Sequence, residues 1–110
     1  MKRGSLILNT IIVVFLLIIS EKSFAANIEH GEQVFSANCS ACHVGGNNVI
    51  MADKKLTKED LATNQMNSIS AITYQVTNGK NAMPSFGARL NETDIEDVAN
   101  YVLSQSEKGW

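Results

Sequence analysis

The sequence predicts an all-α domain of about four short helices. Three observations carry that expectation. Apolar residues recur at helical spacing in several segments, and no stretch alternates apolar and polar residues long enough to insist on a strand. The third is the pentapeptide Cys39-Ser40-Ala41-Cys42-His43. It is C-x-x-C-H, the pattern by which haem is attached through two thioethers and ligated by the adjacent imidazole. Cysteines at this spacing lie about one helical turn apart, which suits the two vinyl-derived carbons of one porphyrin edge. Haem would then supply the flat apolar body around which short helices wrap.

Other readings of the pentapeptide are weaker. A structural zinc site needs four ligands. The chain has no further Cys, and His30 is its only other His, so such a site would have to be Cys39, Cys42, His43 and His30. A thioredoxin-like dithiol expects a βαβ pattern, which is absent. A plain disulfide between Cys39 and Cys42 is the remaining alternative.

At the N-terminus Lys2 and Arg3 precede an apolar stretch from Leu6 to Ile19, broken by Asn9 and Thr10, and Ser23-Phe24-Ala25 offers small residues for cleavage. This is the pattern of a secretory signal peptide. The stretch falls short of the ~20 residues a membrane span needs, although an uncleaved anchor is the alternative. No twin-arginine pair is present, which favours export of an unfolded chain and folding around haem afterwards. Residues 1–25 are therefore expected to be removed, leaving 85 of the 110 residues, 26–110, as one domain. So small a chain buries a modest core and commonly needs a staple, which haem would provide. Residues 26–110 carry six Lys and Arg against ten Asp and Glu, a formal charge of −4. That balance argues against nucleic acid as a partner and allows steering towards a basic patch on another protein.

The helices follow in order. Ile28 to Asn38 sets Gly31, Val34 and Phe35 at helical spacing just before the haem motif. Val44 to Leu56, with Gly45, Gly46, Asn47 and Asn48, reads as a loop. Thr57 with Asp60 opens a short helix through Leu61 to about Met66. Ser68 caps another, with Ile69, Ile72 and Val76 on one face and Gly79 as its stop. In the last, Thr93 and Glu96 stand at capping-box spacing, and Ile95, Val98, Ala99 and Val102 form the apolar stripe. There is no internal repeat and no second domain.

If His43 takes one axial position on iron, the opposite one decides between chemistry and electron transfer. The candidates are Met51, Met66, Met83 and His30. Met66 sits at core-packing spacing on a helical segment, and Met51 follows His43 too closely to pass round to the other face. Met83 precedes Pro84, the only proline in the chain, within the non-helical run 79–87. Pro84 fixes its own φ and pushes Met83 out of the helical region, so this backbone presents a thioether at a defined place. A thioether ligand stabilises Fe(II) and raises the reduction potential. The alternative for Met83 is a buried loop residue.

Gly31-x-x-x-Phe35, Cys39-x-x-Cys42-His43, Met83-Pro84 and Val98-x-x-Tyr101 together resemble class I cytochromes c. More narrowly, residues 34–39, 73–84 and 101–110 resemble cytochrome c6 of algae and cyanobacteria. The resemblance implies first and last helices crossing at the glycine and one haem c held by Cys39 and Cys42 with His43 and Met83 as iron ligands. It further implies a soluble one-electron carrier, not an enzyme, in the thylakoid lumen, reduced by cytochrome f of the cytochrome b6f complex and oxidised by photosystem I. The protein is expected to act as a monomer. Gln75 matches a glutamine near the haem in relatives, where its amide would tune the potential; otherwise it is a polar surface residue. Arg89 matches an arginine beside the docking surface; otherwise it is a solvated cation. Two positions depart from the pattern: Ala52, where relatives often have proline, and Ala88, where many have glycine. The other functional readings are a periplasmic donor to a bacterial terminal oxidase, and a haem enzyme or gas sensor with Met83 unbound.

Overall fold

The computed structural model describes residues 26–110, so the expected signal segment lies outside the described residues. Among the described residues five α-helices follow in order: α1 Ile28–Asn38, α2 Ser40–His43, α3 Lys58–Thr63, α4 Ile69–Asn78 and α5 Glu92–Lys108, with a 3-10 turn at Val44–Gly46. Among the described residues there is no strand, only an isolated backbone bridge between Lys80 and Met83. No helix among them is long and apolar enough to cross a membrane.

The two long helices form the frame. Gly31, Val34 and Phe35 are the buried positions of α1, and Ile95, Val98, Ala99 and Val102 bury the expected stripe of α5. The helices cross at Gly31, where a Cβ would sit 2.7 Å from the Asp97 carbonyl carbon and 2.9 Å from Tyr101 Cβ. Only a residue without a side chain lets the backbones approach this closely. Beside the crossing, the Phe35 ring meets Tyr101 and Trp110 in tilted contacts at centroid distances of 5.4 and 5.2 Å, and the last two meet edge to face. The terminal Trp110 also donates its indole N–H to the Leu56 carbonyl at 2.8 Å and lies flat against Gly46. This closes the loop 44–56 onto the end of α5.

Polar caps define the helix starts. Asn27 caps α1, Thr57 caps α3 and Ser68 caps α4, each side chain accepting a backbone N–H of the first turn. Gly79, at φ 73°, ends α4 as expected. The start of α5 differs from the sequence expectation. Asn91, not Thr93, is the N-cap, and Asn91 and Asp94 form the reciprocal capping box. Asparagine is as good an N-cap as threonine. Because the preceding chain already turns at Leu90, whose N–H donates to Phe86 O at 2.8 Å, Asn91 is the residue that meets the helix entrance.

His30 projects onto the N-terminal part of α5. Its Nδ1 lies 2.8 Å from Asp97 Oδ2 and its Nε2 3.4 Å from Asp94 Oδ1, while the Asn27 N–H donates to Asp97 Oδ1 at 3.0 Å. The buried Asp97 carboxylate is thereby satisfied at the crossing.

Candidate haem site

The C-x-x-C-H segment forms α2 and its N-cap. Cys39 ends α1, its N–H donating to Phe35 O at 2.8 Å, and the Cys42 and His43 N–H groups both donate back to Cys39 O. One tight turn therefore gathers two free thiols and an imidazole. All three line a cavity of about 460 Å³ enclosed by α1, α3, α4, α5 and the two long loops, with Phe35, Leu61, Ile72, Val76, Val98 and Val102 among its apolar walls. Burial pushes the Cys39 thiol up to about 11, as expected of a sulfur set in an apolar wall.

The His43 ring is oriented by the loop that follows. Its Nδ1 lies 2.9 Å from the Asn47 carbonyl oxygen. A carbonyl only accepts, so Nδ1 carries the proton and Nε2 keeps the free lone pair that a metal needs. Asn48 holds the next part of the loop, its Oδ1 accepting the Ile50 and Met51 N–H groups and its amide donating to Lys54 O at 3.0 Å.

Met83 enters the cavity from the loop 79–87. Ser85 donates its hydroxyl to Thr77 O, and the Phe86 and Gly87 N–H groups donate to Val76 and Thr77 carbonyls, so the loop is fastened along the end of α4. Gln75, one turn earlier on α4, donates from Nε2 to Met83 Sδ at 3.4 Å. Met51 and Met66 also line the cavity, whereas His30 does not. Arg89 lies at the cavity with its guanidinium 4.6 Å over the ring of the buried Phe86, a cation–π contact that holds an otherwise exposed side chain in place.

The structure thus brings Cys39, Cys42, His43, Gln75, Met83 and Arg89 to one cavity. Sequence reasoning passed over three features of it. Asn47 and Asn48, read only as loop composition, orient His43 and brace its loop. Phe86 serves as the platform for Arg89. Lys54, Lys55 and Lys80 join Arg89 around the cavity, where Asp60 is the single carboxylate in the lining.

These residues fit a covalently held haem. Two thiols stand one turn apart in an apolar wall, an imidazole offers a free nitrogen, and a thioether reaches the same space. A small helical shell around a cavity bearing C-x-x-C-H defines a class I c-type cytochrome. Known proteins agree with that class and narrow it. Residues 26–102 match the family model described as cytochrome C oxidase, cbb3-type, subunit III. Cytochrome c6 of Pyropia yezoensis is 61% identical over 110 residues, covering 100% of both chains. Cytochrome c6 of Bumilleriopsis filiformis is 72% identical over 85 residues, covering 77% of this chain and 99% of that one. The crystal structure of cytochrome c6 from the diatom Phaeodactylum tricornutum superposes with a TM-score of 0.75 at 50% identity, covering 77% of this chain and 100% of that one. The chain belongs to the cytochrome c6 family. It is a c-type cytochrome carrying one covalent haem c, and its function is electron transport.

Proposed function

We propose that the chain shuttles single electrons in the thylakoid lumen, from cytochrome f of the cytochrome b6f complex to photosystem I. In this reading Cys39 and Cys42 tether the haem and His43 and Met83 are its axial ligands. The observation that carries it is the convergence of the two thiols, the imidazole and the Met83 thioether on one cavity. When bound, haem supplies a one-electron couple. The residues of the chain supply the rest. Asn47 holds the imidazole in the tautomer with a free Nε2, Gln75 polarises the thioether, and the apolar walls exclude water. With His43 and Met83 both holding the group, little would rearrange on electron transfer and no position would be left for a substrate. The formal charge of −4 over residues 26–110 suits basic patches on a partner, but the cavity rim itself is locally basic: Lys54, Lys55, Lys80 and Arg89 would turn this face towards acidic surfaces.

Laser-flash photolysis of photosystem I with the purified holoprotein tests the proposal. The oxidised primary donor should be re-reduced at a rate that rises with holoprotein concentration. Arg89→Glu should slow that reaction while the midpoint potential stays put. A rate independent of the added protein would reject photosystem I as the acceptor, and equal rates for wild type and variant would remove Arg89 from the docking surface.

A further inference from the structure

The chain leaves α4 at Gly79, carries Met83 to the cavity and returns to α4 at Phe86. Both ends of this excursion are fixed. The Gly79 N–H donates to Gln75 O at 2.7 Å, the Phe86 N–H to Val76 O at 2.9 Å and the Gly87 N–H to Thr77 O at 3.1 Å. Between those points Lys80 and Met83 exchange both backbone hydrogen bonds, at 3.0 and 2.9 Å. Lys80-Asn81-Ala82-Met83 is therefore a two-residue hairpin turn. Asn81 has φ 52°, and Ala82 is not among the positive-φ residues. A positive φ at the first central position alone is the type II′ pattern, where glycine ordinarily stands. There is no slack behind the turn, because a Cβ at Gly79 would lie 2.7 Å from both Met83 O and Ser85 N. Pro84 restricts Met83 from the other side.

We propose that Asn81 is a positioning residue for the Met83 thioether, through the left-handed backbone conformation it holds in this turn. The inference rests on the reading of Met83 as an axial ligand. Asn81 is exposed at the cavity rim, and no side-chain hydrogen bond is found for it among the described residues, so the part assigned to it is played by φ. Asparagine tolerates positive φ, glycine accepts it freely, and a β-branched residue resists it. A resisting residue drives the turn towards negative φ and breaks the reciprocal Lys80–Met83 pair. With both ends of the loop fastened to α4, the displacement falls on Met83. The fraction of molecules with Met83 off the iron rises, and any external ligand that needs the vacated position gains apparent affinity in proportion. The left-handed penalty of a single residue corresponds to a shift of roughly 5–30-fold in such a two-state ratio.

The test is an optical titration of the oxidised holoprotein with imidazole across Asn81→Gly, Asn81→Ala and Asn81→Val, with Met83→Ala alongside. The expected result is that the glycine variant matches wild type, the valine variant binds imidazole roughly 5–30-fold more tightly, and alanine falls between. Should valine yield no holoprotein, alanine against glycine carries the same comparison. In a Met83→Ala background Asn81→Val should add nothing. Wild-type affinity throughout the Asn81 series beside an opened Met83→Ala site would overturn the inference, as would glycine proving as disruptive as valine, or a valine effect that survives in the Met83→Ala background. Unchanged imidazole affinity in Met83→Ala alone would instead remove the ligand reading, and this inference with it.

Discussion

Replacing Gln75 by valine removes one polar contact from the site and leaves its apolar walls in place. In the structure the Gln75 amide donates to Met83 Sδ at 3.4 Å. With Met83 as an iron ligand, a donor on its sulfur would draw density away from that bond, and Fe(III) would need that density more than Fe(II). The hydrogen bond would therefore favour the reduced state, and its loss should lower the midpoint potential. A neutral hydrogen bond contributes about 0.5–1.5 kcal/mol net. A tenfold change in a one-electron equilibrium is about 59 mV and about 1.4 kcal/mol, so the whole bond corresponds to a fall of roughly 20–65 mV. The assay is a spectroelectrochemical titration of the wild-type and Gln75→Val holoproteins at one pH. Confirmation that Met83 still occupies the sixth position, by failure of carbon monoxide to bind, keeps the comparison clean. An unchanged or raised potential with Met83 ligation intact would refute the reasoning.

Two further predictions concern the scaffold. Gly31→Val places a branched side chain where even a Cβ would overlap Asp97 and Tyr101, so α1 and α5 must separate; the holoprotein should lose about 1–3 kcal/mol in denaturant unfolding, and an unchanged midpoint would mean that the crossing is not tight. Cys39→Ala combined with Cys42→Ala prevents covalent haem attachment, and a domain this small with its central cavity unfilled should be largely unfolded by far-ultraviolet circular dichroism; a helical spectrum for the haem-free variant would show that the helices hold without their cofactor.

Much of this architecture was legible in the sequence, and the reasons are local. The apolar stripes of α1, α4 and α5 follow the helical period, and Thr57, Ser68 and Gly79 stand where capping chemistry puts them. The gathering of Cys39, Cys42, His43 and Met83 on one cavity was legible because C-x-x-C-H and Met83-Pro84 each encode geometry within a few residues. What escaped depends on contacts between distant segments. Thr93 and Glu96 stand at capping-box spacing in the sequence, but Asn91 also has a capping side chain, and the turn through Phe86 and Leu90 brings it to the helix entrance instead. The part played by Trp110 rests on Leu56 and Gly46, more than fifty residues away in sequence. The hold of Asn47 on His43 and of Phe86 on Arg89 uses residues whose types carry no motif. The positive φ of Asn81 reflects a turn closed by backbone bonds, and an asparagine three positions after Asn78 gives no warning of it.

The central claim is that His43 and Met83 close both faces of the haem iron and make this chain a carrier. A redox titration of the purified holoprotein, followed optically and repeated with carbon monoxide added to the reduced form, tests it most directly. The account predicts a high positive midpoint potential and a reduced spectrum that carbon monoxide leaves unchanged. A low potential with ready carbon monoxide binding would contradict it, since the sixth position would then be open and the enzyme or sensor reading would take its place.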